Sequence, residues 1–175
     1  MRRSCAPGEA RAFWALGEAA LGETLRKFLV VVDETPECAQ AMRFAARRAQ
    51  KTEGKVTMLY VIRPEEFQHW MGVADVMRAE AREAAETRLA DLAEELRQLT
   101  GITPEFAIRE GKPVDQILAQ IDEDPEIGVL VLGAGEDEGP GPIITQLVQK
   151  MAGKLPIPVT IVPGGLSMER IDQIC

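Results

Sequence analysis

Two uninterrupted apolar runs stand out along the chain: Phe28-Leu29-Val30-Val31-Val32, and Ile127 to Leu132. Both are short, and the first is rich in β-branched residues. That is the pattern of strands buried on both faces of a parallel sheet. Val56 to Ile62, Thr103 to Arg109 and Pro158 to Val162 complete a set of five predicted strands. The third is more polar than the others, which places it nearer the sheet edge.

Helical periods lie between the strands. Thr35-Pro36 offers an N-cap and a first-turn proline for a helix running to about Thr52. Met42, Ala45, Ala46 and Ala49 share one side of it, Arg43, Arg47 and Arg48 lie outside, and Gly54 stops it. From about Val73 to Thr100, Ala85, Leu89, Leu92, Leu96 and Leu99 form one helical face, and Gly101 caps the end. Gly111-Lys112-Pro113 turns the chain into a helix from Val114 to about Asp122, burying Val114, Ile117, Leu118 and Ile121. Ile143 to Gly153 carries Ile143, Leu147 and Met151 on one stripe beside Ile144 and Val148, and a short terminal helix starts at Ser167. The alternation β-α-β-α-β-α-β-α-β specifies an α/β domain with a doubly wound parallel sheet and right-handed crossovers, covering residues 27–164. Residues 165–175 form the terminal helix. Residues 1–26 read as a polar, Ala-rich extension, for which a short helix through Phe13, Trp14 and Leu16 and disorder are both open.

Length and composition agree with a single domain. The 175 residues are 46% hydrophobic and 27% charged, and Lys plus Arg (20) against Asp plus Glu (28) leaves a net charge of −8. A net negative field argues against binding nucleic acid or an anionic membrane. No apolar run reaches the roughly 18 residues of a membrane span. Met1-Arg2-Arg3 mimics the basic start of an export signal, but Glu9, Arg11, Glu18 and Glu23 interrupt any apolar core behind it. Cys5, Cys38 and Cys175 are odd in number and lack metal-ligand spacing, so no complete disulfide set forms within one chain, and a reducing cytoplasm is expected.

In an open parallel sheet, ligands sit beyond the carboxyl ends of the strands where strand order reverses. That directs attention to Asp33, to Val61 through Pro64, and to Gly133 onward. Catalysis finds little support: the one histidine, His69, sits in Phe67-Gln68-His69-Trp70-Met71, and the serines Ser4 and Ser167 lie in terminal segments. The Phe67 to Met71 cluster reads as core packing, an apolar lid or a partner surface. Asp122, Glu123, Asp124 and Glu126 read as a solvated turn.

The strand ending in Val-Val-Val-Asp33, Leu59-Tyr60-Val61, Gly111-Lys112-Pro113, Val129-Leu130-Val131-Leu132-Gly133 and Pro158-Val159-Thr160-Ile161-Val162 together resemble a universal stress protein over residues 27–163. The resemblance implies a flavodoxin-like five-stranded sheet in the order 3-2-1-4-5 and a homodimer paired through the last strand, here through Val159 and Ile161. It implies a stress-response protein that acts by binding. Part of the family holds ATP: an aspartate after strand one and backbone groups ending strand two hold the adenosine. A Gly-x-x-Gly, then nine residues, then Gly-Ser or Gly-Thr hold ribose and phosphates.

Asp33, Val61 and Gly133 match the first of these positions, but Glu136 replaces the second glycine. The helix start reads Ile144-Thr145-Gln146-Leu147, without the glycine and hydroxyl pair in register. Gly133, Gly135, Gly139 and Gly141 remain as candidate ligand-facing glycines with Asp33 and Val61. Phosphate sites use backbone N–H groups at a helix N-terminus. Pro140 and Pro142 supply none, and Glu136, Asp137 and Glu138 add negative charge. An unscreened like-charge pair at about 4 Å costs about 4 kcal/mol at an effective dielectric near 20. The expectation is therefore a non-enzymatic module with a degraded phosphate loop and no cofactor. An ATP-binding switch with an altered loop is the alternative, and divalent cation binding by the acidic loop is the weakest reading. Asp33 itself reads equally as a ligand contact or as a side chain capping the next turn.

Overall fold

The computed structural model describes residues 26–63, 74–136, 139–151 and 153–175. The expectations for the N-terminal extension, the Phe67 to Met71 cluster with His69, and Asp137 and Glu138 lie outside the described residues, as does the side chain of Met151. Five strands, β1 (Lys27–Val32), β2 (Lys55–Ile62), β3 (Glu105–Glu110), β4 (Ile127–Ala134) and β5 (Val159–Pro163), alternate with α1 (Cys38–Thr52), α2 (Ala74–Thr100), α3 (Pro113–Glu123) and α4 (Pro142–Met151). A last helix, α5 (Met168–Ile174), follows β5. The sheet order is β3-β2-β1-β4-β5 and every pairing is parallel. This is the doubly wound sheet that the apolar alternation and the resemblance lead one to expect.

All six residues of β1 are buried, and their alternation divides the core in two. Phe28, Val30 and Val32 pack with Val56 and Met58 of β2 against the small side chains of α1 (Ala41, Ala45, Ala46, Ala49) and against Leu89, Leu92 and Leu96 of α2. Leu29 and Val31 face the other way, with Leu59, Leu130 and Leu132, onto Ile117 and Ile121 of α3 and Ile144 and Leu147 of α4. Each apolar side chain removed from water in this way contributes about 1.5–3 kcal/mol. β3 is the polar edge strand expected, half exposed along its length and with Phe106 open to solvent.

Several local expectations are corrected. Thr35 is not the N-cap of α1: the helix begins at Cys38 after a turn in which Cys38 N–H donates to Thr35 O, and Glu37 holds the cap position without a side-chain cap bond. Glu53, not Gly54, takes the left-handed conformation ending α1 (φ 55°). Gly54 is required for another reason: a Cβ there would lie 2.1 Å from the carbonyl oxygen of Arg26. β3 starts at Glu105 rather than Thr103.

The largest correction concerns Asp124 and Glu126 of the acidic run, which do not simply face solvent as Asp122 and Glu123 do. Lys27, the first residue of β1, is 5% exposed, and its ammonium lies 2.8 Å from Glu105, 2.8 Å from Asp124 and 2.9 Å from Glu126. Burial alone would lower the lysine's pKa, but the hydrogen bonds to Asp124, Glu105 and Glu126 outweigh it and hold the amine charged, well above its ordinary value. Glu123 pairs with Arg109. The cluster staples the amino ends of β1, β3 and β4 at the foot of the sheet.

α5 closes the opposite flank. Ser167 Oγ accepts from Arg170 N–H at its start, and Ile171 is fully buried against α1. The Asp172 carboxylate accepts from both Arg43 (2.9 and 2.5 Å) and Arg47 (2.9 and 3.3 Å). Hydrogen bonds from Arg43 and then Arg47 hold that carboxyl far below the usual range.

Lys27→Met removes the buried cation that joins three carboxylates and leaves Lys55 paired with Glu126 alone; breaking such an arrangement costs about 2–4 kcal/mol, readable as a lower urea midpoint at unchanged slope. Asp172→Asn costs about 1–2 kcal/mol at neutral pH, the pair being partly exposed. Because the folded-state pKa of Asp172 is depressed, its contribution is complete above the unfolded carboxyl value of about 4 and is lost as pH falls below it. The gap in stability between the unaltered chain and Asp172→Asn is therefore constant above about pH 5 and narrows in acid, which urea titrations from pH 7 to 2.5 measure.

Candidate functional site

The connections reverse direction between β1 and β4, so a cleft opens beyond the carboxyl ends of these strands. Four segments meet there: the β1–α1 turn, the end of β2, the end of β4, and the start of α4. Asp33 leaves β1 at this point. Its Oδ1 accepts from Thr35 N–H (3.0 Å) and Thr35 Oγ1 (2.5 Å), so the side chain shapes the turn. It also faces the cleft, lining a depression of about 280 Å³ with Gly133, Gly141 and Arg63. A second depression of about 410 Å³ continues from Asp33 to Tyr60, Val61 and Ala81 of α2.

The structure thus joins Asp33 with Gly133 and Gly141 in one recess, and with Val61 in its neighbour. Gly135 and Gly139 line neither. Gly133 serves packing: a Cβ would come within 2.6 Å of Glu37 O, so only glycine lets the β1–α1 turn lie against β4. Gly139 and Gly141 adopt left-handed conformations (φ 84° and 85°) that carry the chain into α4. Thr145 does not face a ligand; its hydroxyl donates to Gly141 O at 2.8 Å, inside the first turn of its own helix.

Four charged residues define the electrostatics: Glu136, expected at this loop, and Glu37, Arg63 and Lys112, which were not expected as site residues. Glu37 extends over β4, its Oε1 3.1 Å from where a Gly135 Cβ would stand, and Glu136 lies over Gly165. The β4 side of the cleft is therefore acidic. At the end of β2 and the cap of α3 stand Arg63 and Lys112. Together they line a third depression of about 240 Å³. Among the described residues neither cation forms an ion pair. The cleft carries both signs of charge: Asp33, Glu37 and Arg63 line one depression, and Arg63 and Lys112 another. Position could have revealed Arg63 and Lys112, since both are basic residues at strand-end turns; nothing in the sequence marks Glu37.

Among the described residues the site offers hydrogen bonds and charge. Burial, opposed in part by a hydrogen bond with the Asp33 backbone, pushes the Cys38 thiol up to about 11, so it stays protonated at neutral pH. Among the described residues no group of three or more His, Cys, Asp or Glu side chains is arranged to hold a metal ion.

Among solved structures, the universal stress protein UspA from Lactobacillus plantarum superposes with a TM-score of 0.59 at 22% identity, over 81% of this chain and 99% of that one. A universal stress protein family member from Burkholderia pseudomallei gives 0.60 at 16% identity, over 81% and 98%. The Archaeoglobus fulgidus universal stress protein in complex with dAMP gives 0.54 at 21% identity, over 78% and 96%. At these identities the likeness shows the fold. No curated protein matches the chain. The sequence itself matches the profile of the Universal stress protein family over residues 24–163, a span that takes in all five strands and the cleft, and the chain belongs to that family.

Proposed function

We propose that this protein is a non-enzymatic, homodimeric binding module of the stress response whose glycine phosphate cradle has been lost. The placement of Glu37 and Glu136 over the β4 and β5 turns carries this reading. A triphosphate laid along the turn after β4 would meet Glu136, which stands where the family pattern places its second glycine, and Glu37 beside Gly135. The reading also draws on Thr145, whose hydroxyl is turned back onto Gly141 O. A cytoplasmic setting is part of it, supported by the free thiols of Cys38 and Cys175. No helix among the described residues is long and apolar enough to cross a membrane.

A second reading, an ATP-binding switch with an altered loop, draws on two observations. The left-handed Gly139 and Gly141 precede a helix N-terminus beside Asp33. The relative from Archaeoglobus fulgidus is a complex with dAMP.

Thermal unfolding with ATP and Mg²⁺ separates the two, because a ligand that binds only the folded state raises the melting temperature. The proposed module shows no rise at millimolar ATP. A rise that disappears in Asp33→Ala establishes the switch instead.

Dimerisation is proposed through β5, the edge strand beside α4. Ile161 is 42% exposed there and Val148 55%. With Leu155, Ile157 and Val159 they border an apolar groove of about 260 Å³. Exposed apolar surface of this kind marks an interaction site. Ile161→Lys, on an exposed face, leaves the fold intact and weakens association at least about tenfold, about 1.4 kcal/mol, as sedimentation equilibrium reads it. A monomer in the unaltered chain at tens of micromolar sinks the proposal.

A further inference from the structure

We propose that Arg63 and Lys112 form an anion site of their own, which takes a phosphate group, free or as a phosphomonoester. It lies between the end of β2 and the starts of α3 and α4. The inference stands apart from the question of ATP, because its two charged groups belong to neither the glycine loop nor the turn after β4.

The β1–α1 and β4 turns carry Asp33, Glu37 and Glu136, whereas the depression between β2 and the starts of α3 and α4 is lined by Arg63, Lys112 and Gln146, with no carboxylate in its lining among the described residues. Arg63 borders all three depressions of the cleft. It is the group that a ligand entering from any of them meets. Asp33 and Glu37 share one of those depressions with it, and Asp115 lies exposed in the first turn of α3. Among the described residues none of the three pairs with Arg63 or Lys112.

The backbone adds to this. The first intrahelical bonds run from Gln116 N–H to Lys112 O in α3 and from Thr145 N–H to Gly141 O in α4. The amides of Val114 and Asp115, and of Ile143 and Ile144, therefore precede the hydrogen-bond ladders of their helices. Val114 and Ile143 line the recess itself. Both helix starts present their positive dipole ends there.

Size and donor chemistry select the ligand. About 240 Å³ is below the roughly 300–1,000 Å³ of sites that enclose a drug-sized molecule. It suits a compact group with several acceptor oxygens, the remainder of the molecule extending towards Asp33 and Val61. A guanidinium offers paired donors to two phosphate oxygens, an ammonium adds a point charge, and the Gln146 amide adds another donor. A phosphate dianion has the oxygens to use all three. The recess thus reverses the polarity that the glycine-loop pattern assigns to the cleft.

The experiment uses the full chain and three probes, inorganic phosphate, AMP and adenosine, each titrated calorimetrically at low and at physiological salt. Phosphate and AMP are expected to bind, adenosine at least about tenfold more weakly than AMP, and added salt to weaken the phosphate interaction. The double variant Arg63→Ala/Lys112→Ala, whose replaced side chains are exposed, is expected to keep its melting temperature and to lose phosphate affinity at least about tenfold. Arg63→Lys recovers part of that loss, and Asp33→Ala leaves phosphate binding in place. Unchanged phosphate affinity in the double variant overturns the proposal, as does adenosine binding as tightly as AMP, or no heat of binding from phosphate at ten millimolar. An ATP response that depends on Asp33 but not on Arg63 and Lys112 overturns the lost-cradle reading alone. The two ideas therefore fail separately.

Discussion

β1 has no solvent side. β2 and β4 take up its two edges, and helices cover both of its faces, so each of its side chains must be satisfied within the protein. For five residues the solution is hydrophobic: Phe28, Val30 and Val32 go to one layer, Leu29 and Val31 to the other. For Lys27 it is electrostatic, and three carboxylates drawn from β3 and the α3–β4 turn surround its ammonium. The central strand is held apolar through its length and charged at its foot. Its other end is where the chain must return to water, and Asp33 is the residue that does so.

The cleft follows from that constraint. Parallel strands put all their carboxyl ends on one rim, and the reversal between β1 and β4 keeps helices from closing over it. Glycine at 133 lets the β1–α1 turn press against β4, which brings Glu37 above Gly135. The same rim collects Arg63 from β2 and Lys112 from the start of α3. Groups of opposite charge therefore meet around a recess built from backbone ends. Binding there is a matter of where a ligand carries its charge rather than of net attraction to a protein whose overall charge is −8.

α5 shows a different kind of addition. It lies beyond residues 24–163, the span shared with the family. It joins the main core through Ile171 and is held by one carboxylate gripped by two guanidiniums. Arg43 and Arg47 stand one turn apart on α1, so a single aspartate can meet both. The helical period of α1 placed these two on its polar side; the docking of α5 turned that side into a contact.

Much of the fold was legible in consecutive residues. Apolar runs at 28–32 and 127–132 announced buried parallel strands, and Leu89, Leu92 and Leu96 announced the inner face of α2, because burial patterns repeat with the period of the local backbone. Asp33, Val61 and Gly133 were placed at the cleft by the same logic of strand ends. Local signals misread what depends on distant partners. Asp124 and Glu126 look like a solvated turn until β1 brings Lys27 beside them from 97 residues away. Thr35 looks like a helix cap until Asp33 claims its amide and hydroxyl. The amino-acid sequence alone determined the order of elements, their inner faces and the rim that carries the site, all of which follow from side-chain periodicity. Tertiary structure decided the charge on each wall of the cleft and the partners of Lys27 and Asp172, since Coulomb interactions depend on separation in space, and only the crossovers between strands bring those groups together.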